Sequence, residues 1–77
     1  MSVSAYIFIE CEHGKSIEAA NKISKIAGVR EAHTVTGPYD IIVCVNASNF
    51  KVLGDVVIKK IQGVPGVKKT LTNVIVE

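Results

Sequence analysis

Two short stretches hold the residues of this chain whose types and spacing could do chemistry: Gly37-Pro38-Tyr39-Asp40 and Thr70-Leu71-Thr72. Glycine tolerates φ above zero and leaves its backbone open to close approach, and proline fixes the next φ, so the pair reverses the chain in few residues. An aromatic ring and a carboxylate follow at once, at the mouth of a rigid turn. Thr70 and Thr72 stand at the strand period of two and share one face. A carboxylate to meet an ammonium, with hydroxyls and backbone donors to meet a carboxylate, is what recognition of a small zwitterion requires. The plain alternative is that Asp40 begins a strand and the threonines fill a sheet edge, and residue pattern alone leaves both open.

Other chemistries find little support. Gly14-Lys15-Ser16 resembles the end of a phosphate-binding loop, but that motif needs a second glycine five residues before Gly14, and Ile9 stands there inside a strand. Cys11, His13, His33 and Cys44 lack the spacing of a structural zinc site, so neither a metal nor a cofactor is expected. His13 and His33 have no neighbouring nucleophile with an orienting carboxylate, and no catalytic residue is assigned. RNA-recognition modules share the strand order derived below and stack bases on sheet aromatics. Tyr6 and Phe8 lie on one face of the first strand, yet no aromatic lies between Asp40 and Asn46, so no direct nucleic-acid contact is expected.

Periodicity supplies the elements that must position these residues. In the first strand, Val3 to Cys11, the residues Val3, Ala5, Ile7, Ile9 and Cys11 face one way, and Ser4, Tyr6, Phe8 and Glu10 the other. From Lys15 to Ala27 the period is helical, with Ile17, Ala20, Ile23 and Ala27 on one stripe and Gly28 as the terminator. Val29 to Thr36 is a second strand, joined through the Gly-Pro turn to a third, Asp40 to Val45. The unbroken apolar run from Ile41 to Val45 marks a central strand covered on both sides. Residues 46–49 supply capping chemistry for a helix in which Phe50, Leu53, Val57 and Ile61 recur to Gln62. Gly63-Val64-Pro65-Gly66 stops that helix, and Val67 to Val76 is the last strand.

The halves echo one another at a shift of 38 residues, pairing Gly28 with Gly66, Val29 with Val67 and Thr34 with Thr72. The expected fold is α+β: a ferredoxin-like βαββαβ plait of the dimeric α/β-barrel type, with a four-stranded antiparallel sheet and two helices on one face. With 77 residues the chain is a single small unit whose core leaves a thin stability margin. Its net charge of +2, spread evenly, demands no nucleic-acid partner. No apolar run is long enough for a membrane span, and residues 1–4 lack the basic start and apolar core of a secretory signal, so a cytoplasmic location is expected. The two cysteines fall in strands, where thiols act as small buried hydrophobes. Strands one and three are apolar on both faces while the helices cover only one, which predicts a homodimer made through the open sheet faces.

Two segments carry a resemblance to a known family. Val29 to Ile41, with its strand, Gly-x-Tyr-Asp turn and strand, and Ile61 to Thr72, with its helix end, Pro-Gly-Val turn and Thr-x-Thr strand, resemble the effector-binding (RAM) domain of the Lrp/AsnC (feast/famine) transcription regulators. The resemblance covers nearly the whole chain, and residues 1–77 are expected to form a single RAM domain. It implies dimers assembling into octamers or decamers, with an amino-acid effector held between neighbouring dimers. Carried onto this sequence, the ligand-binding residues are Gly37, Tyr39, Asp40, Thr70 and Thr72, contributed by adjacent subunits. Family members place a helix-turn-helix before this domain, whereas here Met1 stands almost directly on the first strand, so a stand-alone RAM domain is expected.

The expectation is therefore a non-enzymatic amino-acid-binding oligomer linked to transcription regulation of amino-acid metabolism, in which a ligand bridging subunits favours the assembled form. Asp40 would pair with the ligand ammonium, and Gly37 with Thr70 and Thr72 would receive its carboxylate. Two alternatives stand beside it: a small dimeric ferredoxin-like enzyme, and a structural co-assembly partner of full-length Lrp/AsnC regulators.

Overall fold

The computed structural model describes residues 2–76, apart from the side chain of Val56. Strand β1 (Val3–Cys11) leads into helix α1 (Ser16–Ile23), then β2 (Val29–Thr34), β3 (Ile41–Ala47), a second helix, α2, over residues 50–62, and β4 (Val67–Val74). The strands form one antiparallel sheet in the order β2-β3-β1-β4. This is the expected ferredoxin-like βαββαβ plait.

Alternation along the central strands sets the two faces. Ala5, Ile7 and Ile9 of β1 and Ile41, Val43, Val45 and Ala47 of β3 are buried, and they pack with Ala19, Ala20 and Ile23 of α1 and Leu53, Val57 and Ile61 of α2. Each fully buried aliphatic side chain contributes about 1.5–3 kcal/mol, so this one layer holds the fold together. The residues between them, Ser4, Tyr6, Phe8 and Glu10 with Ile42, Cys44 and Asn46, lie on the uncovered face. The run Ile41 to Val45 was expected to be covered on both sides. Within one chain it is central but covered on one side only, with Ile42 and Cys44 half-buried.

The helices differ from expectation in more detail. Helix α1 ends at Ile23 rather than Ala27, because Ile26 N–H turns back to the Ile23 carbonyl and Val29 N–H to that of Ile26, tightening the chain before β2. Its buried residues are Ala19, Ala20 and Ile23, while Ile17 is 77% exposed and Ala27 is exposed. Ile17 stands about 120° round the helix from Ile23, off the face that buries Ala19, Ala20 and Ile23. Phe50, the first residue of α2, is 67% exposed, whereas Leu53, Val57 and Ile61 are buried as expected. Helix α2 is also not regular. It starts α-helical at Phe50–Val52, capped by Asn49, whose side chain accepts from Val52 N–H at 2.8 Å. It widens to a π-helix at Leu53–Ile58 and tightens again at Lys59–Gln62.

The internal repeat is physical. Gly28 and Gly66 have φ of +97° and +95°, a left-handed region that disfavours side chains. The Gly28 carbonyl accepts from Asn46 N–H at 2.8 Å, and the Gly66 carbonyl from Glu12 N–H at 2.8 Å. A Cβ on Gly28 would meet Val57 Cγ2 at 2.9 Å, and one on Gly66 would meet Lys15 Cβ at 2.7 Å. Each half thus turns into its second strand against the other half's helix.

Candidate ligand-binding site

The loop between β2 and β3, residues 35–40, is closed by Val35 N–H donating to the Asp40 carbonyl at 2.9 Å. Gly37 sits exposed at its tip with φ of +143°. The loop is tied to the end of β1 by two bonds: Asp40 N–H donates to the Ile9 carbonyl at 2.9 Å, and Asp40 Oδ2 accepts from Cys11 N–H at 2.8 Å. The carboxylate therefore stands at the sheet end on a backbone donor left over where β1 stops pairing with β3. Tyr39 lays its ring on Phe8, with centroids 5.2 Å apart and planes tilted by 43°, so the aromatic belongs to the uncovered face.

Burial and Asp40 also act on the Cys11 thiol. Cys11 packs against the core, and this desolvation, followed by the nearby Asp40 charge, raises its pKa above the ordinary 9.0. A thiol so placed is held protonated and is a poor nucleophile. Both cysteines are free, with Cys11 against the core and Cys44 on the open face opposite Tyr6.

Thr70 and Thr72 lie elsewhere. They register opposite Ile9 and Ile7 and share the helix-covered side with them. Gln62, at the end of α2, reaches over to donate from Nε2 to Thr70 Oγ1 at 3.1 Å. Thr70 and Asp40 flank β1 from opposite sides at the level of Ile9, two strand spacings or roughly 10 Å apart. One chain therefore brings Gly37, Tyr39 and Asp40 together at one end of the sheet and sets the two threonines across β1 from them.

Residue pattern missed three partners of this site. Phe8 was legible as an open-face aromatic, but its pairing with Tyr39 depends on the loop folding back. The Cys11 N–H and Gln62 contacts depend on where a strand and a helix stop, which periodicity does not fix.

A family model described as Lrp/AsnC ligand binding domain matches residues 4–77. The chain belongs to the Lrp/AsnC ligand-binding domain family. Similar proteins include an uncharacterized HTH-type transcriptional regulator of Pyrococcus furiosus, 35% identical over 77 residues that cover 96% of this chain and 51% of that protein. The structure of AsnC from E. coli superposes with a TM-score of 0.88 at 28% identity, covering 97% of this chain and 51% of that one. A homocitrate synthase of Sulfolobus acidocaldarius is 35% identical over 77 residues, which are 99% of this chain but 16% of the enzyme. The chain spans about half the length of the regulators it matches, so this Lrp/AsnC ligand-binding fold occurs as a portion both of transcription regulators and of an enzyme. Among the described residues, no helix is long and apolar enough to cross a membrane.

Proposed function

We propose that this chain is a non-enzymatic amino-acid-binding module of a transcription-regulatory system, holding its ligand between copies of itself. The observation that carries the reading is the separation of the candidate residues in a chain of the Lrp/AsnC ligand-binding family. A carboxylate set at the sheet end and two threonines across β1 do not make one site within a subunit, but neighbouring subunits can complete it. Asp40 receives the ligand ammonium through the carboxylate oxygen not engaged with Cys11, and Gly37, Thr70 and Thr72 receive the carboxylate. Tyr39, braced on Phe8, walls the turn. The uncovered sheet face, with Tyr6, Phe8, Ile42, Cys44 and Leu71, supports pairing of two chains, and pairs then assemble into octamers or decamers. Ligand bound across such a seam stabilises the assembly by mass action.

The test is a screen of the twenty amino acids that reads melting temperature and sedimentation together. At least one should raise the melting temperature and shift the population toward a larger species, and Asp40→Ala should abolish both responses. No response to any amino acid, or full response by the variant, refutes the reading.

A second output for the same site is favoured by the match to homocitrate synthase, in which this domain accounts for a sixth of the chain. There the module would govern a biosynthetic enzyme rather than a promoter. Capture of a helix-turn-helix regulator by the tagged chain, lost on removal of the amino acid, would favour transcriptional output; capture of a synthase would favour the other.

A further inference from the structure

The two halves of the plait carry matching β-bulges, and their charges do not match. Where β4 meets β1, Cys11 is opposite Val67 and Glu10 opposite Lys69, so Lys68 is the extra residue. Where β2 meets β3, Val29 is opposite Val45 and Glu31 opposite Cys44, so Arg30 is the extra residue. Each bulge follows a left-handed glycine and a valine, Gly66-Val67 and Gly28-Val29. Both bulges therefore project a cation from equivalent places.

Their surroundings differ in one respect. Lys68 Nζ lies 3.7 Å from Glu10 Oε1, the residue opposite its bulge, and Glu12, whose N–H bonds to Gly66, is a second acid nearby. The places of Glu10 and Glu12 are taken in the other half by Cys44 and Asn46, the latter bonding to Gly28 in the same way. Both acids are thus replaced by neutral residues while the cation is kept. The adjacent acid, Glu31, points along the strand instead, with Oε1 3.1 Å from His33 Nε2. Among the described residues Arg30 makes no ion pair.

Beside it lies an open depression of about 420 Å³ lined by Gly28, Val29, Arg30 and Asn46. Arginine presents a planar fork of donors that matches a carboxylate bidentately. Asn46 closes the other side, its Nδ2 held by Ser4 Oγ at 2.8 Å. We propose that the depression at the start of β2, between Arg30 and Asn46, binds a small carboxylate that takes the place of the acid its twin bulge carries within the chain. The site is separate from the Asp40 turn: Asn46 pairs with Ser4 at the beginning of β1, whereas Asp40 bonds to Ile9, five residues or roughly 17 Å further along.

The experiment is an NMR titration of the ¹⁵N-labelled full chain with sodium acetate against sodium chloride at constant ionic strength, with sodium phosphate as a third arm. Acetate should shift the Arg30 Nε–H and the Gly28 and Asn46 amide signals along a saturating curve, while chloride does not. Arg30→Gln, a surface change that leaves the fold intact, should weaken that binding at least tenfold. Lys68→Gln, at the bulge already neutralised, and Asp40→Ala, at the turn, should leave the acetate curve unchanged, so failure here and failure of the effector reading are separable. Non-saturating shifts, an equal response to chloride, or an unaltered curve in Arg30→Gln overturn the site. Saturation by phosphate at lower concentration than acetate overturns its assignment to carboxylates.

Discussion

Cys11 joins the core to the turn through both its backbone and its thiol, and the two respond differently to pH. The thiol's folded pKa lies above its unfolded value, first through burial and then through Asp40. The unfolded chain therefore loses this proton first as pH rises. The contribution is fully present below the ordinary value of 9.0 and is lost as pH climbs from there through the folded pKa. The urea midpoint should fall across that window more steeply in the parent than in Cys11→Ala, the comparison cancelling lysine titration; parallel slopes would refute it. Gly28 is the second decisive residue. Gly28→Ala combines a left-handed φ with a methyl group 2.9 Å from Val57 and 3.1 Å from the Asn46 carbonyl, and should cost about 2–3 kcal/mol in chemical denaturation.

At the scale of elements, the same substitution should have the opposite sign in α2. Gly54 lies in the π-helical stretch, its φ is not left-handed, and a Cβ there meets nothing within 4 Å. Gly54→Ala should therefore stabilise by about 0.5–1 kcal/mol, chiefly by restricting the unfolded chain, and thermal unfolding reads it directly. The strands were legible as apolar runs ended by turn residues, as in Ala5-Tyr6-Ile7-Phe8-Ile9, where the period of two then assigns each residue to a face. The plait followed from the internal repeat and the βαββαβ order of elements. Less legible were the ends of elements. Ile17 and Phe50 fit broad apolar stripes in sequence, but a broad stripe does not say which of its residues the sheet leaves uncovered. The π-helical turn and both bulges were also hidden, since each adds a residue without altering composition. Of the candidate site, the turn Gly37-Tyr39-Asp40 was recognisable as a unit, while the placement of Thr70 and Thr72 across β1 depended on registers that pattern does not supply.

At the scale of the whole molecule, the chain is one-sided. Its helices cover one face of the sheet, and the other presents Tyr6 and Leu71, 46% and 47% exposed, beside Phe8 and Ile42. Small soluble proteins seldom leave such a patch to water. Leu71→Glu puts a charge on that face at an exposed position, so it should halve or further reduce the sedimenting mass while leaving the far-ultraviolet circular dichroism unchanged. An unaltered mass would show that pairing uses another surface.

The reciprocal glycine ties bear on how such a chain can be divided. Cut at the hairpin, each βαβ fragment would expose a carbonyl whose donor went with its sibling, and would lose the wall its bend rests on. Separate peptides should stay unstructured and regain the parental spectrum only when mixed. By the same logic, neither half of this motif folds before it meets the other.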